Sequence, residues 1–229
     1  MDDYLYDDAM INELEDLFRQ NSRFKIAQEQ SEIMENMFPF FGLENPKRSS
    51  LQDTIFPKYP IRDEATLLST VEQLWDEDER EYQYAGCDLA ERYLAKCTLN
   101  SLPFFEKLIR EKSHWDTVDK IAANLVGKLL LRYPDKKMLM DKWIDDPDIW
   151  IRRAALFYQL EYKDKTDEDI LFSYCIKTMR EKDLVIREAI GLVLQKHSQT
   201  SPQSVREFIE NHRLSLSPLT VREGMKLLK

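Results

Sequence analysis

The sequence predicts an all-α fold in which paired helices stack into a solenoid with a concave cleft. Three observations carry that expectation. Glycine is scarce, at 5 of 229 residues, Leu, Lys, Glu and Arg abound, and runs of β-branched residues are missing, a balance that favours helices over strands. A four-residue block returns at a fixed interval: Ile151-Arg152-Arg153-Ala154, then Ile186-Arg187-Glu188-Ala189 thirty-five residues on, then Val221-Arg222-Glu223-Gly224 after thirty-five more. Turn signals fall between the blocks, at Pro134-Asp135, Asp145-Asp146-Pro147 and Ser217-Pro218. A helix pair of ~35 residues cannot bury its own apolar face, so such pairs stack on one another.

Taken in order, residues 9–37 read as amphipathic helices behind an acidic tip, and Phe38-Pro39-Phe40-Phe41-Gly42 as a compact aromatic turn. Asn45-Pro46-Lys47-Arg48-Ser49-Ser50 opens the next helix. Tyr82-Gln83-Tyr84-Ala85 lies 69 residues before the first block, close to two periods, and Asp116-Thr117-Val118-Asp119 occupies the register between them. Each block opens a helix in which a small residue lets a neighbour approach closely. Second helices of the pairs are expected at Leu102–Glu111, Lys136–Ile144, Asp167–Arg180 and Ser201–Asn211. Ser101 ahead of Pro103, and Ser201 before Pro202, suit helix starts; the acids of Thr166-Asp167-Glu168-Asp169 suit a third, where the helix dipole favours negative charge. HEAT-like repeats are the natural class, because the Trp/Leu-Gly/Tyr pattern of tetratricopeptide repeats is missing. No linker interrupts the chain, so one domain over residues 1–229 is expected.

Composition excludes several classes. No run of 18 apolar residues exists to span a membrane, and the acidic start MDDYLYDDAM is no secretory signal. Cys87, Cys97 and Cys175 are odd in number and lack CxxC spacing, and His114, His197 and His212 show no ligand spacing with them. Three reduced, buried thiols in a cytoplasmic protein are expected, with no metal. No glycine-rich phosphate loop is present. Net charge is −9, but residues 1–100 hold 22 acids and 10 bases while residues 101–229 hold 20 acids and 23 bases. A nucleic-acid surface, which needs basic groups to neutralise phosphate, would therefore sit in the C-terminal half; a solvated acidic surface that aids solubility is the plainer reading.

The run Lys112-Ser113-His114-Trp115-Asp116-Thr117-Val118-Asp119 breaks the repeat. Asp119 falls where other blocks place Ala85, Ala154, Ala189 and Gly224, and a broken local rule marks a candidate functional site. Trp115 is four residues earlier and so shares its helical face, and Arg153, one repeat on, can reach the same surface. An indole, a carboxylate and a guanidinium can engage a sugar or cationic base and stabilise developing positive charge. On residue types alone, a capping Asp116, a core tryptophan and a salt-bridged Asp119 explain the same letters. Trp75, Trp143 and Trp150 read as core, and His114 as a flank of Trp115.

These segments resemble the HEAT-like-repeat alkylpurine DNA glycosylases of the AlkD type. That family carries K-S-[aromatic]-W-D-[ST]-V-D, mirrored by Lys112 to Asp119, and W-x-x-R-A-A-[IL], mirrored by Trp150 to Leu156. It also carries G-[IV]-x-x-P-x-R, mirrored by Gly42 to Arg48, and A-I-G-W-x-L-R before a T-x-P turn, mirrored by Ala189 to Gln195 and Thr200 to Pro202. The resemblance implies excision of cationic N3- and N7-alkylpurines from duplex DNA without flipping the base into a pocket, unlike most glycosylases. It implies Asp119 as the residue that stabilises the oxocarbenium-like sugar and positions water, Trp115 as an aromatic contact, and Arg153 as a holder of the backbone near the lesion. DNA contacts are expected from Trp115, Lys47, Arg48, Lys120, Arg152 and Arg187. No cofactor is expected, since a cationic base leaves readily, and the partner is duplex DNA bound by a monomer.

Three positions depart from the pattern: Leu192 stands for a tryptophan, Gln195 for an arginine, and Ser49 for a second arginine. Each removes a DNA-facing group. One lost phosphate contact lowers the salt slope by about 1, and a lost stacking partner costs on the order of 1–3 kcal/mol. The expected function is thus DNA alkylation repair with thinned contacts and weak or lost excision. A non-catalytic paralogue, binding DNA weakly, and a protein-interaction scaffold are the alternatives; scattered or buried Lys120, Arg152, Arg153, Arg187 and Arg222 would favour the scaffold.

Overall fold

The computed structural model describes residues 3–228 and is helical throughout, with no strand among them. The chain packs as two compact units, residues 1–101 and 102–229.

In the first unit, α1 (Asp3–Gln20) packs on α3 (Asn45–Ile55) and α4 (Glu64–Asp76), and α4 packs on α5 (Arg80–Arg92). Phe18, Phe41 and Tyr82 form a three-ring core cluster with centroids 5.6–5.8 Å apart. Asp63 starts α4 by accepting the Thr66 amide at 2.8 Å. The intervening α2 (Phe24–Ile33) buries none of its residues. It is tied instead to the aromatic turn, through Arg23 N to Phe41 O (2.9 Å) and Ser31 Oγ to Phe38 O (2.9 Å). Gly42 makes that turn possible: its φ is +85°, and a Cβ there would meet Arg23 O at 2.2 Å. Glu81, wholly buried, closes the turn by accepting the amides of Phe41 (3.1 Å), Gly42 (2.9 Å) and Leu43 (3.0 Å).

The second unit shows the repeat. Its helices are α6 (Leu102–Arg110), α7 (Trp115–Lys120), α8 (Lys128–Leu131), α9 (Met140–Ile144), α10 (Ile149–Phe157), α11 (Glu168–Thr178), α12 (Leu184–His197), α13 (Pro202–Asn211) and α14 (Pro218–Met225). The block helices α7, α10, α12 and α14 pack each on the next, and their partners α6, α9, α11 and α13 pack alongside them. The blocks' small residues Ala154, Ala189 and Gly224 are all buried. Polar bonds repeat the beat: Arg153 Nη1 donates to Val185 O at 2.7 Å and Thr220 Oγ1 to Arg187 O at 2.8 Å. Asp167 and Ser217 cap α11 and α14 through Ile170 N and Thr220 N. Ser201 makes no side-chain cap bond to its helix, whose first turn carries Pro202.

Two departures are local. The helix expected over Lys136–Ile144 begins as 3₁₀ turns (Pro134–Leu139) and is α-helical only from Met140. Between α7 and α8 the chain widens into π-helix over Ile121–Gly127, where Gly127 lets the backbone of Tyr158 come so close that a Cβ would lie 2.0 Å from its carbonyl. The three cysteines are free and buried, and burial pushes the Cys175 thiol up. Trp75 and Trp143 are core. No helix among the described residues is long and apolar enough to cross a membrane.

Candidate functional site

The run Lys112 to Asp119 turns sharply into α7. Lys112 has φ +50°, Ser113 Oγ binds Ile109 O at 2.6 Å, and His114 is extended at the helix start. The turn leaves Trp115 44% exposed while Thr117 and Val118 enter the core. His114, nearly buried, packs against Trp115 (centroids 5.9 Å) and against Trp150 (5.8 Å), the residue one repeat on. Its Nδ1 lies 3.6 Å from Asp116 Oδ1. Trp150 is thus half-buried at the start of α10, on the edge of the candidate site rather than in the core, which is where the sequence reading put it.

One turn after Trp115, Asp119 is gripped by Arg153 through two parallel bonds, Nε to Oδ1 at 2.6 Å and Nη2 to Oδ2 at 2.7 Å. This fork is the strong form of a charge-assisted pair. The Arg153 side chain is 1% exposed and that of Asp119 20%, so the guanidinium sits below and the carboxylate reaches the surface. The rest of Arg153 is also used: Nη1 donates to Val185 O (2.7 Å) and reaches Glu188 Oε2 (3.4 Å), and the guanidinium stands 4.9 Å over the Phe157 ring. Burial raises the Asp119 carboxyl above its ordinary value, against the pull of Arg153. Burial also opposes the charge on Arg153, but the carboxylates of Asp119 and Glu188 outweigh it and raise its pKa. Arginine does not deprotonate in such company, so the Asp119 carboxyl group rests on a fixed cation. Arg153 therefore positions Asp119 from beneath.

The other expected DNA contacts divide. Arg152 is half-buried and bound to Glu181 (Nη2 to Oε2, 2.9 Å) and to Asp146 O (2.7 Å). Arg187 Nε donates to Glu181 O at 2.9 Å. Lys120 follows Asp119 on α7 and is half-buried. Lys47, in the first unit, is exposed. Its neighbour Arg48 is buried, 4.6 Å over the Tyr84 ring and bonded to Asp88 (3.2 Å) and Asn45 (2.8 Å). On α12, Glu188, Leu192 and Gln195 stand at i, i+4 and i+7 and share one stripe; Leu192 and Gln195 are half-buried.

Fold and site together define an all-helical, stacked-repeat protein that presents an arginine-anchored carboxylate beside an exposed indole. The chain belongs to the DNA alkylation repair enzyme family, which matches residues 14–228. A structure described as a predicted DNA alkylation repair enzyme from Enterococcus faecalis is similar at 30% identity and TM-score 0.83, covering 90% of this chain and 96% of that one. AlkD2 from Streptococcus mutans shares the fold at 15% identity and TM-score 0.62, covering 89% of this chain and 99% of that one. The smu.31 protein of Streptococcus mutans does so at 16% identity and TM-score 0.60, covering 80% and 92%. No curated protein sequence matches the chain.

Proposed function

We propose that this protein is a DNA N-glycosylase for cationic N3- and N7-alkylpurines, with slow turnover. The observation that supports this reading is the Asp119 carboxyl group, gripped by Arg153 and partly exposed one helical turn from an exposed Trp115. In the reaction a water oxygen bonds to C1′, the N-glycosidic bond breaks, and its electron pair neutralises the departing base. A water proton is released. The sugar carries positive charge in the transition state, and a fixed anion beside it stabilises that charge without reorganising. The indole face suits a sugar or a cationic base. The base leaves as a neutral purine, so the chemistry asks for no metal. Lys120, Arg152, Arg187 and Lys47 are the candidate phosphate contacts; Arg48 and Arg153 act from below the surface, on Tyr84 and Asp119.

The test is release of 7-methylguanine from alkylated duplex DNA at low salt with stoichiometric protein. Release above the spontaneous rate, lost in Asp119→Asn, is expected. Release no faster than without protein removes the reading. A DNA-binding paralogue without excision is the second reading, and Leu192 and Gln195 favour it. The double variant Leu192→Trp, Gln195→Arg distinguishes them: a wild type that already excises as fast as this variant rules out degeneration of the surface.

A further inference from the structure

The site holds a second carboxylate that the family resemblance does not assign. Glu188 stands at the repeat position of Arg153, thirty-five residues on. Where α12 crosses α10 its Oε2 lies 3.4 Å from Arg153 Nη1, on the opposite arm of the guanidinium from the Asp119 fork. Its side chain is 51% exposed. One buried cation therefore faces two carboxylates, and the trio has a net charge of −1. A single carboxylate would have satisfied the guanidinium. A surplus anion on a surface proposed to meet phosphate is unfavourable for binding ordinary DNA, and it is favourable only towards a ligand that brings its own positive charge.

We infer that Glu188 is a specificity-determining residue of this site: it completes an anionic pair with Asp119 that selects a positively charged nucleotide over a neutral one. The inference rests on the glycosylase reading of the same site. Asp119 is rigid, with both oxygens in the fork. Glu188, half in solvent and held by one long contact, follows the ligand. A like charge beside Asp119 also makes the region more negative than the fork alone, and attraction at close range in a partly buried site outlasts screening by salt.

The experiment compares duplexes carrying a pyrrolidine sugar, which is cationic, with duplexes carrying the neutral tetrahydrofuran sugar. The ratio of their dissociation constants cancels the phosphate contacts that both share. Wild type is expected to prefer the cationic duplex by about tenfold, and Glu188→Gln to lower that preference by about 3- to 10-fold while binding the neutral duplex as well or better. Glu188→Asp, which keeps the charge, should retain most of the preference. Thermal melting of both variants confirms that they fold, as the exposure of Glu188 implies. A ratio in Glu188→Gln equal to that of wild type, or a wild type with no preference, overturns the inference. Excision of 7-methylguanine by wild type in that case leaves the glycosylase reading standing; a cation preference without excision does the reverse.

Discussion

Each unit fixes a carboxylate on a block helix, and the two are used differently. Glu81 turns both oxygens inward onto three backbone amides of the 41–43 turn. Burial pushes its carboxyl up, against the pull of those donors. Nothing of it reaches solvent, and nearby Arg80 is likewise buried, 4.0 Å over the Phe38 ring. Asp119 has the same chemistry with the opposite orientation: its partner is beneath it and its carboxylate touches solvent beside an indole. The first arrangement fixes a turn. The second holds a charge ready for something that is not part of the protein.

Four substitutions sharpen that contrast. Arg153→Ala leaves the mostly buried Asp119 without its cation and should cost about 3 kcal/mol of stability by urea denaturation, with part restored by adding Asp119→Asn. A double-variant loss equal to the sum of the two single losses would mean the pair is not coupled. Glu81→Ala orphans three amides and should cost on the order of 3 kcal/mol while leaving DNA binding per folded molecule unchanged. A specific loss of binding by the folded fraction would break the distinction between the two carboxylates. Trp115→Ala reverses this pattern: within about 0.5 kcal/mol of wild-type stability, because the ring is exposed, but weaker on lesion-bearing DNA by about 1–3 kcal/mol in a titration.

The smallest effect is on pH. Hydrogen bonds from Arg110 to Asp146 (3.1 and 2.7 Å) hold that carboxyl below its ordinary value of 3.8. The unfolded chain then binds the proton more readily, so this stabilisation is full above the ordinary value and is lost as pH falls below it. Asp146→Asn should flatten the acid limb of a stability–pH curve by less than about 1 kcal/mol, since Arg110 is partly solvated. An unchanged limb would show that the contact contributes nothing.

Much of the second unit was legible in the sequence. The block at Ile151, Ile186 and Val221 falls on α10, α12 and α14, which pack in succession, because a period of small and apolar residues directly encodes which faces meet. Asp119 was legible as a broken rule in that period. Its depth relative to Arg153 was not, since a letter pair thirty-four residues apart shows proximity but not which partner is buried. Trp150 was read as core because its neighbours are apolar; its contact with His114 depends on the extended backbone at residue 114. Neither Glu188 nor Glu81 was singled out by the sequence, because what each binds is non-local. The π-helical turn left only Gly127 as a trace.

The most direct test of the central claim compares 7-methylguanine release by wild type and Asp119→Asn on one alkylated duplex, under single-turnover conditions at low salt. Measurable release by wild type is expected, with a fall of about 10²- to 10³-fold per folded molecule in the variant and binding to undamaged DNA retained, although the lost fork to Arg153 lowers the melting temperature. Equal release by the two proteins would contradict that claim.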